Sequence, residues 1–116
     1  MATTRARGDA GERLAAAFLE LAGIEVVARN ARVGGVEVDL IAADGPARVI
    51  VEVKLRGRAD YGGAALAVDR AKCLRLARAA RALEREEASP VRIDVVAIQM
   101  GPDGATLRHY RNAVTE

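Results

Sequence analysis

The fold is decided by residues 36–55, VEVDLIAADGPARVIVEVKL, where two alternating apolar and polar runs flank the turn residues Asp44-Gly45-Pro46. The runs Val36 to Ala43 and Val49 to Leu55 predict two β-strands, because successive side chains of a strand point to opposite faces. A short turn of this composition joins neighbouring antiparallel strands. The stretch therefore predicts an antiparallel hairpin with charged groups on one face of each strand.

The predicted hairpin sets charged side chains against one another. If the turn is centred between Gly45 and Pro46, Asp39 lies opposite Glu52 and Glu37 lies opposite Lys54. Directly opposed Cβ atoms are about 5 Å apart, and opposed like charges destabilise a sheet. The Asp39–Glu52 pair therefore needs an explanation other than folding.

A divalent metal ion would explain the carboxyl pair. Mg²⁺ and Mn²⁺ take oxygen ligands, commonly one or two carboxylates together with water and substrate phosphate oxygens. Lys54 lies two residues beyond Glu52 on the same strand face, where it could hold an attacking water or stabilise charge on a phosphate. The alternative is a solvated polar face with an ordinary Glu37–Lys54 cross-strand pair, and the spacing leaves both open.

Apolar periodicity and turn residues predict the elements around the hairpin. A capping box at Asp9 and Glu12 begins a first helix, which ends at Gly23. Its apolar residues at helical spacing are Leu14, Ala17, Phe18 and Leu21. The other predicted elements are strands over 24–30, 91–100 and 105–110 and a long helix over 66–87. The predicted order is α-β-β-β-α-β-β.

Length and composition limit the class of protein. A chain of 116 residues has room for one domain, of which residues 1–8 are expected to form a flexible start. The single cysteine, Cys73, excludes an internal disulfide and a cysteine-based zinc cluster. No leader and no apolar run of about eighteen residues is present, so we expect a cytoplasmic protein without a membrane partner.

Positive charge is concentrated in one stretch of the chain. The net charge is only +2, but residues 54–85 hold nine cations against three acids. Such a stretch can attract polyanions, nucleic acid above all, although a solvated helix face explains it equally well. Arg56 and Arg58 follow the second hairpin strand and are candidates for contact with a phosphate backbone. Aromatic residues are only 3% of the chain, which argues against a platform that stacks single-stranded bases.

Lysine is the rarer cation, since only Lys54 and Lys72 are lysines among the 18 Lys and Arg residues. Both positions are candidates for sites that require a compact, orientable ammonium rather than a guanidinium. Helical spacing places Lys72 on the inward stripe of the second helix with Leu76 and Leu83, and the arginines on the opposite side. Either a carboxylate cluster pairs with Lys72, or its ammonium reaches water past the helix end.

Three other polar residues are not expected to carry chemistry. Asp94 is expected to orient Arg92 on the fourth strand, which is a structural role. His109 has no partner pattern and is interpreted as a surface or core residue. Cys73 neighbours Lys72 but has no base beside it in the sequence.

The hairpin residues match a known motif. Glu37-Val38-Asp39-Leu40-Ile41 followed by Glu52-Val53-Lys54 resembles the PD-(D/E)xK nuclease motif. The surroundings, from about Gly8 to Val114, are similar to the bacterial YraN family, which is related to archaeal Holliday-junction resolvases. The residues that carry this wider resemblance are Gly11-Glu12, Asn30, Tyr61-Gly62, Lys72, Arg92-x-Asp94 and Asn112-Ala113.

The resemblance implies a restriction-endonuclease-like α/β fold with three layers, in which helices flank a mixed central sheet. Asp39 and Glu52 would be ligands of Mg²⁺ or Mn²⁺, and Glu12 would be the further acid that completes the site. Lys54 would be the catalytic lysine. For Glu12, helix capping is the alternative explanation.

The function implied by the resemblance is a metal-dependent endonuclease of branched or double-stranded DNA, acting as a homodimer. The residues expected around the catalytic set are Glu37, Tyr61 and Gly62 as supports, and Arg56, Arg58 and Lys72 as contacts to nucleic acid. One alternative is a non-catalytic nucleic-acid-binding module that keeps the nuclease fold. Another is a protein-interaction scaffold whose charged face is only solvated.

Overall fold

Two helices and five strands make up the part of the chain that the computed structural model describes, residues 4–56 and 69–115. The elements are α1 (Thr4–Leu21), β1 (Glu25–Val33), β2 (Val36–Asp44), β3 (Ala47–Arg56), α2 (Arg70–Glu87), β4 (Val91–Gly101) and β5 (Gly104–Tyr110). The predicted α/β class and the order α-β-β-β-α-β-β are confirmed. Neither described helix is long and apolar enough to cross a membrane.

The strands form one mixed sheet in the order β1-β2-β3-β4-β5. β3 and β4 are parallel, and the other neighbouring strands are antiparallel. Parallel neighbours need a crossover connection, and α2 lies in the segment that joins β3 to β4. The sheet thus has three antiparallel pairs and one parallel pair, as a mixed sheet flanked by helices requires.

Both faces of the sheet are buried, one beneath each helix. The cluster on the α1 side contains Ala15, Ala16, Leu19, Ile24, Leu40, Ala42, Val49, Val51, Val96 and Ile98. The cluster on the α2 side includes Val36, Val38, Ile41, Ile50, Leu76, Ala79, Leu83 and Ile93. Residues 49–52 and 93–98 are buried without interruption, because β3 and β4 are covered on both faces.

The buried side of α1 differs from the predicted apolar stripe. Leu14 and Leu21 are 40% and 89% exposed, whereas Ala15, Ala16 and Leu19 are buried. Small residues allow the helix backbone to approach the sheet closely, and close packing is favourable. The predicted stripe is therefore wrong, since Ala17 is also exposed and Phe18 is only partly buried.

The two helices also begin differently from the predictions. α1 begins at Thr4, so Asp9 lies inside the helix and the predicted capping box is wrong. Residues 4–8, expected to be a flexible start, are helical. α2 begins at Arg70, because Asp69 has an extended backbone and its side chain accepts the Lys72 N–H at 2.8 Å. Residues 66–68, predicted as helical, lie outside the described residues.

The β2–β3 hairpin has the predicted register wherever its strands pair. The pairs run from Asp44–Ala47 to Leu40–Val51 around a turn in which Gly45 has a φ of 58°. Glycine adopts such a positive φ without steric strain. Beyond the Leu40–Val51 pair the strands separate, and the candidate site lies there.

The β1–β2 turn brings this end of the sheet against α2. Gly34 and Gly35 have φ values of 57° and 78°, which suit a two-residue hairpin turn with two positive φ angles. A Cβ atom on Gly34 would lie 2.9 Å from the Cβ of Ala82 in α2. Glycine at this position therefore permits the close contact between the hairpin and the helix.

Candidate active site

The candidate site begins where β2 and β3 separate. The Val53 N–H donates to Oδ2 of Asp39 at 2.8 Å, beyond the last pair of the two strands. A side-chain carboxylate thus satisfies a backbone donor that a neighbouring strand would otherwise bind. This hydrogen bond fixes Asp39 at the open end of the hairpin.

The pleat of β2 reverses at Asp39. Val38 packs in the cluster beneath α2 and Leu40 in the cluster beneath α1, although residues two apart in a regular strand share a face. The regular alternation predicted for the strand over Val36 to Ala43, which would place Val38 and Leu40 on the same face, is therefore wrong at this point. Asn30 of β1, which the register places opposite Asp39, has a left-handed backbone with a φ of 48°. The irregularity in both strands places Asp39 between the two faces of the sheet.

Asp39 and Glu52 form a close carboxyl pair. Glu52 is only 6% exposed, and it lies close enough to Asp39 to raise the pKa of that carboxyl group. Burial and then the charge of Glu52 raise the pKa of Asp39 to about 6, although the Val53 N–H and the charge of Lys72 act in the opposite direction. Asp39 therefore takes up a proton at a higher pH than an ordinary aspartate does.

Both lysines of the chain reach this pair. Lys54 Nζ lies 3.8 Å and Lys72 Nζ lies 3.3 Å from the same atom, Oε2 of Glu52. The Lys54 side chain is 15% exposed and that of Lys72 is 35% exposed. Of the two alternatives for Lys72, the structure shows pairing with the carboxylate cluster.

Glu37 does not take the position that the regular register predicts. It lies opposite Arg32 of β1, with 3.9 Å between Oε2 of Glu37 and Nη2 of Arg32. Lys54 approaches Glu52 instead, so the predicted Glu37–Lys54 pair is wrong. The cause is the separation of β2 from β3, because the two strands no longer face each other at these residues.

Glu12 approaches the site from α1. Burial and then the charge of Asp39 raise the pKa of Glu12, while a hydrogen bond from the Asn30 side chain lowers it. Glu12, Asn30 and Glu37, together with Gly8 and Asp9, line a pocket of about 480 Å³. Glu12 is therefore within electrostatic reach of Asp39, and it borders the open end of the hairpin.

The chemistry of these donors fits a small divalent cation. Mg²⁺ commonly binds one or two carboxylates and keeps several water ligands, and two carboxylates meet here. In residues 4–56 and 69–115, no group of three or more His, Cys, Asp or Glu side chains is arranged to hold a metal ion. Asp39 and Glu52 would thus be the protein ligands, and Glu12 does not form one three-acid cluster with them.

The structure describes only some of the residues predicted to contact nucleic acid or to support the site. Arg56 is half-buried at the end of β3, and the ammonium of Lys72 forms an ion pair with Glu52. Arg58, Tyr61 and Gly62 lie outside the described residues. The arginines of α2 are exposed, as predicted for its outer side: Arg70, Arg75, Arg78, Arg81 and Arg85.

A second carboxylate cluster lies in the neighbouring strand β4. Asp94 is fully buried and accepts hydrogen bonds from Arg92 Nε at 3.0 Å and from the Asn112 N–H at 2.9 Å. His109 Nε2 lies 2.7 Å from its other oxygen, and Arg92 also reaches Asp44 at 2.8 Å. Burial acts to raise the pKa of Asp94, but the bonds from Arg92, Asn112 and His109 together hold it below the ordinary value.

The predicted contact between Asp94 and Arg92 is confirmed, but sequence reasoning missed the role of His109. The short turn over 101–104, between the predicted strands over 91–100 and 105–110, predicts which residues of these strands lie opposite each other. A hairpin closed there pairs His109 with Val96, which shares a face with Asp94 two residues away. Applying the register argument to this second hairpin would have placed His109 beside Asp94.

The chain is similar to known proteins over most of its length. The profile of the uncharacterised protein family UPF0102 matches residues 11–98. A UPF0102 protein of Symbiobacterium thermophilum is 47% identical over 104 residues, which cover 87% of this chain and 88% of that protein. A UPF0102 protein of Halorhodospira halophila is 44% identical over 112 residues, which cover 97% of this chain and 89% of that protein.

Among solved structures, the chain is similar to Pyrococcus furiosus SfsA in complex with Ca²⁺. The TM-score is 0.38 at 17% sequence identity, and the match covers 93% of this chain and 63% of that one. The matched profile and the two bacterial relatives confirm the predicted YraN-type resemblance. The chain belongs to the UPF0102 family.

Proposed function

We propose that the protein is a Mg²⁺- or Mn²⁺-dependent endonuclease that hydrolyses phosphodiester bonds in branched or double-stranded DNA. The observation that carries this proposal is the Asp39–Glu52 carboxyl pair, which meets both lysines of the chain at one end of the sheet. Two neighbouring carboxylates can bind a divalent metal ion, and a nearby ammonium can bind a phosphate oxygen. Family membership and fold are compatible with this activity but do not specify it.

The electrostatics of the pair support a functional role. Burial and the neighbouring charge of Glu52 raise the pKa of Asp39, which costs the fold free energy, and such costs are concentrated at catalytic and binding sites. Asp39 sits at a reversal of the pleat, and Asn30 opposite it has a positive φ. Local departures from regular strand geometry are also frequent next to active sites.

Each residue of the proposed site has a distinct part. The Val53 N–H orients Asp39, so that its second oxygen remains available to a ligand. Lys54 Nζ can donate to a phosphate oxygen or hold a water in place for attack. Glu12, whose pKa is raised, is the further acid of the site and a candidate to accept a proton from that water. A bound Mg²⁺ or Mn²⁺ would supply charge stabilisation at the phosphate.

The exposed arginines of α2 support nucleic acid as the substrate class. Five arginines point outward from this helix, and cationic side chains on one surface release counterions when they bind a phosphate backbone. The first turn of α2 also carries Lys72, so the helix that bears these arginines contacts the carboxyl pair through its inward side. A homodimer and a cytoplasmic location remain predictions from the sequence.

The same arginines favour a second candidate function, a nucleic-acid-binding module without cleavage. Its binding would depend steeply on salt concentration and would not depend on the carboxyl pair. The two functions therefore differ in a single observation, which is whether the loss of Asp39 or Glu52 changes what the protein does to DNA.

The test is a cleavage assay with end-labelled DNA, using a four-way junction, a flap, a plain duplex and an RNA hairpin with Mg²⁺, Mn²⁺ or a chelator. We expect cleavage of at least one DNA only with metal, and a loss of roughly a hundredfold or more in Asp39→Asn and Lys54→Met. Asp103→Asn is the matched control, because Asp103 is exposed in the β4–β5 turn. Equal cleavage by Asp39→Asn and wild type would refute the proposal, and salt-sensitive binding without cleavage would favour the second function.

A further inference from the structure

The two lysines of the chain converge on one oxygen atom. Lysines are only two of the 18 Lys and Arg residues, yet Lys54 from β3 and Lys72 from α2 both lie within ion-pairing distance of Glu52 Oε2. All the other cationic residues among these 18 are arginines. A site that uses both ammonium groups of the chain needs a property that guanidinium groups lack.

The charges of the carboxyl pair and the two lysines already balance without a metal ion. Asp39 and Glu52 supply two negative charges when both are ionised, and Lys54 and Lys72 supply two positive charges. A divalent cation bound between the carboxylates would lie close to Lys72, whose ammonium is 3.3 Å from Glu52 Oε2. Like charges at such distances repel strongly in a partly buried site, so the metal and Lys72 compete for the same carboxylate.

Lys72 is the lysine that is able to leave. Its side chain is 35% exposed, whereas that of Lys54 is 15% exposed. Its backbone is held by the N–H bond to Asp69, so only the flexible four-carbon side chain needs to move. An arginine there could bind the carboxylate through two parallel hydrogen bonds, which would make release harder.

We propose that Lys72 is the resident counter-ion of the carboxyl pair, that it competes with divalent metal for Glu52, and that a nucleic-acid phosphate takes up its ammonium when the metal binds. The inference rests on the proposed function, because it takes Asp39 and Glu52 as metal ligands. It assigns Lys72 a positioning role that couples two ligands. By thermodynamic linkage, DNA must tighten metal binding by the same factor by which metal tightens DNA binding.

The first test measures Mn²⁺ affinity by calorimetry on the full chain without nucleic acid. Lys72→Met should bind Mn²⁺ about tenfold more tightly than wild type, and Lys72→Arg should bind it more weakly. Arg75→Met is the matched control, because it removes one positive charge from an exposed position of α2, one turn after Lys72. Its Mn²⁺ affinity should stay within about twofold of wild type.

The second test repeats the titration with a saturating DNA duplex. Wild type should gain several-fold in Mn²⁺ affinity, and Lys72→Met should gain much less, because its carboxyl pair is already free. Thermal unfolding without metal provides a folding check on each variant. Lys72→Arg keeps the charge, so it separates release of the ammonium from simple loss of charge.

The outcomes separate this inference from the proposed function. Equal Mn²⁺ affinities of Lys72→Met and Arg75→Met, or binding of Mn²⁺ by neither, would overturn the counter-ion role even if wild type cleaves DNA. Equal gains from DNA in wild type and Lys72→Met would overturn the coupling to phosphate. Tighter Mn²⁺ binding in Lys72→Met with no cleavage of any DNA would support the counter-ion and refute the nuclease.

Discussion

Two buried carboxylate clusters occupy neighbouring strands of one sheet, and they differ in how well their charges are satisfied. Asp94 in β4 accepts bonds from a guanidinium, an imidazole and a backbone N–H, and its pKa is lowered. Asp39 beside β3 has one backbone donor but faces Glu52, and its pKa is raised to about 6. The pKa of the fully buried Asp94 is lowered and that of the partly buried Asp39 is raised, because the nearest charged partners of the two acids have opposite signs.

The difference teaches how to separate a structural acid from a functional one in a protein of this size. A buried carboxylate whose acceptors are matched by donors stabilises the fold and leaves no capacity for a ligand. A carboxylate that faces another carboxylate costs stability, and the raised pKa of Asp39 shows that Lys54 and Lys72 offset this cost only in part. Each of the following measurements tests one side of this contrast.

The largest expected effect is on the satisfied cluster. Asp94→Ala leaves Arg92, His109 and the Asn112 N–H without their shared acceptor, so the free energy of unfolding should fall by roughly 3–5 kcal/mol. Asp44→Ala is the matched control, because Asp44 contacts the same Arg92 at a position 29% exposed. Its cost should be about 1 kcal/mol or less. Urea unfolding at neutral pH measures both, and equal costs would contradict the structural assignment of Asp94.

The unsatisfied cluster should respond in the opposite direction. Asp39→Asn removes a repelling charge and keeps an oxygen for the Val53 N–H, so at pH 8 the variant should be more stable than wild type by about 1–2 kcal/mol. The folded pKa of Asp39 is about 6 and its ordinary value is 3.8. The native state therefore binds more protons than the unfolded chain between these values, and wild-type stability falls as the pH rises through that range.

The pH dependence supplies the control for that prediction. The advantage of Asp39→Asn should shrink as the pH falls from 6 toward 4, since wild-type Asp39 is then protonated in the folded protein and, increasingly, in the unfolded chain. Urea unfolding at several pH values measures the difference directly. A variant that is less stable than wild type at pH 8 would show that Asp39 is a satisfied structural acid like Asp94.

A divalent metal ion should also relieve the repulsion between Asp39 and Glu52 and thereby stabilise the wild-type protein. At ten times its dissociation constant, Mn²⁺ should stabilise the protein by about 1.4 kcal/mol, because it binds the folded state alone. Asp39→Asn should show little of this gain, and Asp94→Asn, where it folds, should keep it. Thermal unfolding with and without Mn²⁺ measures the gain, and an equal shift in wild type and Asp39→Asn would place the metal elsewhere.

The sequence predicts the Asp39–Glu52 contact because a short turn sets the partner of every residue in a hairpin. The same argument places His109 beside Asp94, although it has to be applied to the second hairpin. It fails for Glu37 and Lys54, because the strands separate after Leu40. At the same place Asn30 has a left-handed backbone and Asp39 accepts a hydrogen bond from the Val53 N–H, and no periodicity records either feature.

Contacts between distant elements were harder to predict. Helical spacing places Lys72 on the inward side of α2, but its approach to Glu52 depends on how the crossover positions the helix over β3. The buried side of α1 is not the predicted one, because Ala15, Ala16 and Leu19 pack in the core while Leu14 and Leu21 are exposed. Both depend on packing distance rather than on the order of residues.

The smallest expected effect concerns the histidine of the satisfied cluster. His109→Phe keeps a ring at 6.3 Å from that of Phe18 but removes the contact with Asp94, which is 2.7 Å in the native protein. Because Arg92 and the Asn112 N–H still bind Asp94, the free energy of unfolding should fall by only about 1 kcal/mol. Urea unfolding measures this cost against that of Asp94→Ala. A cost as large as that of Asp94→Ala would mean that His109, rather than Arg92, is the main stabilising partner of Asp94. The contrast between the two clusters would then depend on the imidazole.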